Sequence, residues 1–379
     1  MGLELADLFR EYGTDYRKKY ADKLLPSHRQ AMWAIESCRT ERLGGQVFGC
    51  EKCQEFQYSY HSCRNRHCPK CQHELTQNWL KGQQELLLPV PYFFLTFTLP
   101  SELRNLVCAN QKALYALLFQ ASAEATQKLA LDPRYIGGQI GLVGVLHTWT
   151  RNLIYHPHVH YLAPGGGLHS DGQAWLPSQP RFFLPAPALS ILFRAAFRRG
   201  LVNLKLFDQV PSRVWSKNWV VHCKSVGNGQ TALKYLAPYI HRVAISNRRL
   251  LSFDNRGSME TSQVTFQHRV SDTGQLKKCR LSVEQFFQRF LQHILPHAFV
   301  KVRYYGFFGA SVRRKLAALQ QRLGTQGHGP SEQQTTSSEQ QTTSSQESAN
   351  EAPSKILCPI CGLPMTFQRN LAPQMCRSP

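Results

Sequence analysis

The sequence predicts an α+β protein, an antiparallel sheet with flanking helices preceded by a small helical and zinc-ribbon-like domain. Three observations carry this expectation. Short β-branched and aromatic runs recur from residue 91 onward in the order strand, helix, strand, strand, which suits an antiparallel sheet backed by helices. The first ninety residues instead show helical spacing interrupted by a Cys/His-rich stretch. A hydrophobic share of 42% over 379 residues is enough for a real core, divided among two or three domains.

Taken in order, residues 1–47 place apolar side chains at helical spacing through Leu24, Met32 and Ile35. Residues 48–73 are polar and rich in Cys and His, a metal-folded module, and residues 74–90 return to helix. Tyr92 to Thr98 is a continuous apolar and β-branched run closed by Pro100, a buried strand. Ser101 opens a helix reaching about Leu131, with its hydroxyl as the cap. Ile140 to Thr150 and His156 to Leu162 form a hairpin that ends at Gly165, Gly166 and Gly167, which leave space. Residues 168–216 read as an insertion with a helix near 187–199. Trp219 to His222 is a short strand, residues 230–242 a helix, and residues 244–303 a hairpin and a helix from Val283 to Leu295. SEQQTTS occurs twice, at Ser331 and Ser338, so a coreless linker is expected at 321–354. The expected divisions are 1–90, 91–320, 321–354 and a short Cys-containing tail at 355–379.

Twelve cysteines in a chain without a signal-peptide pattern point to metal rather than disulfides. Cys50-x2-Cys53 and Cys68-x2-Cys71 are two pairs separated by 14 residues, the spacing of one tetrahedral thiolate zinc site of structural type. Cys38, His61, Cys63 and His67 stand nearby, giving eight possible ligands for one site or two. The loop between the pairs puts Arg64 and Arg66 on a rigid scaffold suited to DNA. In the tail, Cys358 and Cys361 make half a site, Cys376 offers a third ligand, and no fourth is evident.

His158-Val159-His160 lies in a strand, so its two imidazoles share one face while Val159 takes the other. His147, on the preceding strand of the hairpin, is the expected third ligand, with His156 as its competitor. Three histidines leave a divalent metal open positions for polarising a phosphodiester. Tyr235 and Tyr239 are spaced i, i+4, which on a helix brings both hydroxyls to one face, and tyrosine is a nucleophile able to store a phosphodiester bond. The excess of 45 Lys and Arg over 24 acids, a charge of +21, makes a polyanion the default partner. Arg242, Arg248, Arg249, Arg313, Arg314 and Lys315 are expected to track phosphates. Trp149, Tyr155, Tyr161, Tyr304 and Tyr305 are expected to stack on unpaired bases. No apolar run reaches the roughly 18 residues of a membrane span.

These residues together resemble the HUH endonucleases, in which a His-hydrophobic-His pair binds the metal and a helical tyrosine attacks DNA. More closely, the chain resembles the rolling-circle transposases typified by insertion sequence ninety-one. The resemblance covers about residues 28–316 and the tail pair, through Cys38-Arg-Thr40, His61 to Cys71, Phe97-Thr-Leu-Pro100, Leu146-His-Thr-Trp149, His156 to His160, Tyr235 to Leu250 and Val302 to Gly306. It implies an RRM-like palm, Tyr235 and Tyr239 as nucleophiles with a 5′-phosphotyrosine intermediate, and Mg2+ or Mn2+ at the histidines. It also implies single-stranded DNA at insertion-sequence ends as substrate and action in the bacterial cytoplasm at the nucleoid, with neither membrane nor small-molecule partner. Pro238 departs from an ideal helix, which leaves both a one-tyrosine scheme led by Tyr235 and a two-tyrosine scheme open. Two other readings remain at this stage: a relaxase or replication initiator, and a zinc-dependent DNA-binding regulator with a dead nuclease.

Overall fold

The computed structural model describes residues 2–71, 79–240, 243–270, 273–309, 313–326 and 356–374. Arg242, Cys376 and most of the expected linker lie outside these residues. The N-terminal helices are α1 (Leu5–Lys19) and α2 (Pro26–Ser37), the latter opened by proline at a first-turn position, where no N–H is needed. They are followed by a hairpin of β1 (Gly45–Gly49) and β2 (Phe56–Tyr60).

The main sheet has five antiparallel strands. These are β3 (Tyr92–Thr98), β4 (Leu142–Trp149), β5 (Tyr155–Pro164), β8 (Val221–Ser225) and β12 (Val302–Tyr305), in the order β12-β4-β5-β3-β8. Between β3 and β4 run a 3₁₀ turn (Ser101–Leu103), α3 (Arg104–Ala109) and α4 (Gln111–Ala130). The single helix expected from Ser101 is therefore broken at Asn110, and the Ser101 hydroxyl meets Glu102 instead of capping a helix. Helices α5 (Ala186–Asn203) and α4 cover one face of the sheet. Phe97, Val159, Tyr161, Phe119, Phe193 and Phe197 close that face into the main core.

Beyond β5, the strands β6 (Gly166–Leu168) and β7 (Trp175–Pro177) pair tightly. Gly166 has φ +152°, and a Cβ there would stand 2.6 Å from the Leu176 carbonyl. The triple glycine thus lets two backbones approach each other and does not leave open space, a correction to the expectation above.

The short α6 (Arg213–Ser216), before β8, joins the main core through Val214. On the other face of the sheet packs α7 (Gly229–Ile240). Ala232, Leu233 and Leu236 of α7 are buried with Phe94, Val145 and Leu162 of the sheet and with Phe307 and Phe308. A second sheet, β9 (Leu250–Asp254), β10 (Gln263–Arg269) and β11 (Leu276–Ser282), has the order β11-β10-β9 and is followed by α8 (Val283–Leu291). The hydroxyl of Ser282 caps α8 by accepting from the Gln285 N–H. Helix α9 (Arg313–Gln326) joins the α7 side through Leu316 and Leu319.

The apolar faces of α1 and α2 are buried against this second sheet and α8. The rings of Phe9 and Phe287 lie 4.5 Å apart, and Tyr12 hydrogen-bonds both Asn255 (2.7 Å) and Ser262 (2.9 Å). Finally β13 (Thr366–Leu371) pairs with the open edge of β1, giving a three-stranded sheet in the order β13-β1-β2. No helix among the described residues is long and apolar enough to cross a membrane.

Candidate nuclease centre and zinc clusters

The β4–β5 register decides the histidine site. His147 stands directly opposite His158, and Val145 opposite His160. Alternation then puts all three imidazoles on the face that α7 covers, with Val159 in the core on the other side. One ring nitrogen from each of the three lies within 4.8 Å of the others. His147 and His160 are buried and His158 is partly so.

A hydrogen bond fixes the tautomer of His158. Nδ1 of His158 is 2.7 Å from the His156 carbonyl oxygen, which only accepts, so Nδ1 carries the proton and Nε2 the lone pair. Nδ1 of His160 is 2.9 Å from the Thr96 hydroxyl, placed beside it by the β3–β5 pairing. Ring contacts hold the set in place: Phe94 stacks on His160 at 5.0 Å, and Trp149 on His147 at 4.8 Å. Burial pushes the His158 imidazole down to about 4, so it is neutral and able to ligate at neutral pH. Such a set of ring nitrogens, each held by a second hydrogen bond or a stacked ring, suits a divalent ion. His156 is not part of this group: its ring is 5.3 Å from that of His158, and its Nδ1 is 3.3 Å from Arg104.

Tyr235 and Tyr239 fall one turn apart in α7, whose backbone runs on through Pro238 to Ile240. Their side chains lie outside the described set. Of the stacking candidates, Tyr161 and Tyr155 are core residues. Tyr161 donates to the Phe119 carbonyl at 3.0 Å, and Tyr155 shares a 2.6 Å hydrogen bond with Tyr115. Trp149 is buried against His147, and Tyr304 and Tyr305 are half-buried in β12.

The cysteines separate into two clusters. Cys38, Cys63, Cys68 and Cys71 form one, and Cys50, Cys53, Cys358 and Cys361 the other. The expected grouping of Cys50 and Cys53 with Cys68 and Cys71 is therefore not what the fold brings together. Cys38, at the end of α2, and Cys63, after β2, complete the 68/71 pair, while the 50/53 pair lies at the far end of the hairpin. In the first cluster Cys71 Sγ is 3.5 Å from Cys38 Sγ and 3.6 Å from Cys63 Sγ. Four thiolates about 2.3 Å from one zinc stand about 3.8 Å apart, so the spacing fits. Hydrogen bonding among the neighbouring thiols pulls Cys38 well down and pushes Cys63 up to about 12. His61 is exposed and outside both groups. Nε2 of His67 accepts from the Leu295 N–H at 3.2 Å, so this residue ties the loop to the protein body.

Among the basic candidates, Arg64 is exposed, with φ +50°, and Arg248 is exposed. Arg66 donates to the Phe299 carbonyl at 2.7 Å, and Arg249 donates to the carbonyls of Gln267 and Ala244. Both therefore spend donors on the fold. A cavity next to the first cluster is lined by Cys63, Arg64, Asn65, Arg66 and His297.

Comparison with known proteins agrees with this geometry. Residues 8–99 match a family model described as "Transposase zinc-binding domain", and residues 141–315 match one described as "Putative transposase". The chain is 38% identical over 353 residues to "Putative transposase y4qJ" of Sinorhizobium fredii, covering 88% of this chain and 87% of that one. The chain belongs to the insertion sequence ninety-one family of transposases. It is also similar to "Transposase for insertion sequence element IS801" of Pseudomonas savastanoi pv. phaseolicola, at 28% identity over 301 residues, 73% of this chain and 69% of that one. No solved structure matches it. The transposase is thus a DNA-processing enzyme with a structural zinc-binding domain, and the first model spans all of Cys38, Cys63, Cys68 and Cys71. Thr96 is the site residue that the sequence did not disclose; its alternation with the buried Leu95 and Phe97 was the available signal.

Proposed function

We propose that this transposase cuts and rejoins single-stranded DNA at the ends of its insertion sequence, through a 5′-phosphotyrosine intermediate, in rolling-circle transposition. The observation that carries the reading is the layering of the main sheet. Helix α7, which bears Tyr235 and Tyr239, is packed on the same face that presents His147, His158 and His160. Those histidines would hold Mg2+ or Mn2+, which when bound acts as Lewis acid and template for the scissile phosphate.

The chain's own residues do the rest. The tyrosine hydroxyl gives up its proton as its oxygen bonds to phosphorus, the bond from phosphorus to the 3′ oxygen breaks, and that oxygen takes up a proton so that the leaving strand ends as a 3′-hydroxyl. The bond energy is kept in the ester, so a second 3′-hydroxyl can later attack it and reseal DNA. Tyr235 makes the first attack. Tyr239 accepts a second strand if the turn containing Pro238 aligns the two. Exposed Arg64 and Arg248, with Arg313, Arg314 and Lys315, contribute phosphate contacts.

The test is incubation of the purified protein with 5′- and 3′-labelled single-stranded element ends and Mg2+, followed by denaturing gel. The expected result is a covalent protein–DNA adduct carrying only the fragment 3′ of the cut, lost in Tyr235→Phe and in His158→Ala. An adduct retained in Tyr235→Phe transfers the first attack to Tyr239. Retention in the double Tyr235→Phe, Tyr239→Phe protein overturns the tyrosine mechanism.

A further inference from the structure

We propose that Cys50, Cys53, Cys358 and Cys361 bind a second structural zinc ion, which fastens the segment at 356–371 to the N-terminal hairpin. The ligand atoms of the four lie within 4.8 Å of one another, and Cys50 Sγ is 3.6 Å from Cys361 Sγ although the residues are 311 positions apart. That is close to the edge of about 3.8 Å for a zinc tetrahedron with bonds of about 2.3 Å, and far beyond a disulfide of about 2.05 Å. All four thiols are free.

The two pairs also share one turn. The Cys50 N–H donates to the Glu55 carbonyl and the Gln54 N–H to the Cys50 carbonyl, both at 2.9 Å. The Cys358 N–H donates to the Leu363 carbonyl at 2.8 Å and the Gly362 N–H to the Cys358 carbonyl at 2.9 Å. In each, the residue after the second cysteine is left-handed, Gln54 at φ +54° and Gly362 at φ +72°. Glutamine takes that conformation only at a cost, so the turn is imposed rather than idle. Cys-Glu-Lys-Cys-Gln and Cys-Pro-Ile-Cys-Gly have little else in common, yet the same turn aims both sulfur pairs at one point.

The local core is too small to hold the segment alone. Among the described residues its buried members are Cys50, Cys358 and Met365, with Phe48, Cys53, Ile356 and Cys361 partly covered. Units of this size generally need a metal or another cross-link. The matched zinc-binding model ends at residue 99, so it includes Cys50 and Cys53 but neither Cys358 nor Cys361.

The experiment uses the full chain with a specific protease site inserted within 331–345. Metal analysis is expected to find two zinc ions per chain, falling to one in Cys358→Ser/Cys361→Ser and to one in Cys63→Ser/Cys68→Ser. After cleavage, the released segment is expected to co-elute with the rest of the protein on gel filtration while zinc is bound, and to separate once a chelator removes it. Equal zinc content in the wild type and Cys358→Ser/Cys361→Ser overturns the proposal. So does a segment that separates with zinc still bound, or one that stays after zinc content reaches zero. If the cysteine variants fail to accumulate, the cleaved wild-type protein decides alone.

Discussion

Replacing Thr96 with valine tests whether the histidine face is a metal site. Valine keeps the shape and the strand preference of threonine but removes the hydroxyl that meets His160 Nδ1 at 2.9 Å. His160 is only 7% exposed, so water cannot readily take the hydroxyl's place. For Nε2 to ligate, Nδ1 must keep its proton, and in the variant that N–H no longer meets the threonine hydroxyl. Losing such an orienting partner typically weakens metal binding about 10- to 100-fold, which is about 1.4–2.8 kcal/mol. The assay is calorimetric titration of the metal-stripped histidine site with Mn2+, alongside a thermal melt. Thr98→Val is the control. Thr98 is opposite His158, but the Nδ1 proton of His158 is already taken by the His156 carbonyl, so binding there should change less than twofold. If Thr96→Val binds Mn2+ as the wild type does and melts at the same temperature, the tautomer argument is wrong and His160 is not held for a metal.

Two further outcomes follow from the packing. Phe287 lies tilted against Phe9 at 4.5 Å and meets Tyr16 edge-on at 5.3 Å, so Phe287→Ala should cost about 3–5 kcal/mol in urea unfolding and loosen α1 from the second sheet. A loss below about 1 kcal/mol would mean that α1 is not anchored there. Burial pushes His293 down to about 4 from the usual 6.5, so its folded form resists protonation that the unfolded chain accepts. Stability is therefore whole above about pH 6.5 and falls as pH drops toward 4, by up to about 1.4 kcal/mol per unit from this residue. Urea midpoints measured over that range should flatten in His293→Gln, and an unchanged slope would count against its burial as a neutral group.

The histidine site was legible because each step to it is local. Period-two alternation pairs His158 with His160, and a short hairpin brings His147 opposite. The cysteine clusters were only half legible for the opposite reason. Spacing within a pair is local, but which pair joins which depends on where α2 ends and on a strand more than 300 residues later, so two C-x2-C motifs near each other read as one site. Strand β12 escaped notice because Val302–Tyr305 is four residues long and earns its place by pairing with β4, not by its own pattern. The amphipathic face of α1 was visible, but nothing in its sequence named the second sheet as what covers it. Tyr161 and Tyr155 looked like stacking platforms because exposure is a tertiary property, and their hydroxyls turned out to be satisfied inside the core.

The pairing of β13 with β1 also has a consequence in time. The edge of β1 that β13 covers is made early, and its partner emerges from the ribosome only after a further 317 residues, counted from Gly49 to Thr366. At about 5–20 residues per second that is roughly 15–60 s of synthesis. Throughout that interval a row of backbone N–H and C=O groups on β1 has no strand beside it and is open to pairing with another nascent chain. The hairpin is therefore among the first parts of the protein to be translated and among the last to be finished, and a ribosome that stalls within the SEQQTTS repeats leaves behind a transposase body whose N-terminal sheet still presents a bare edge.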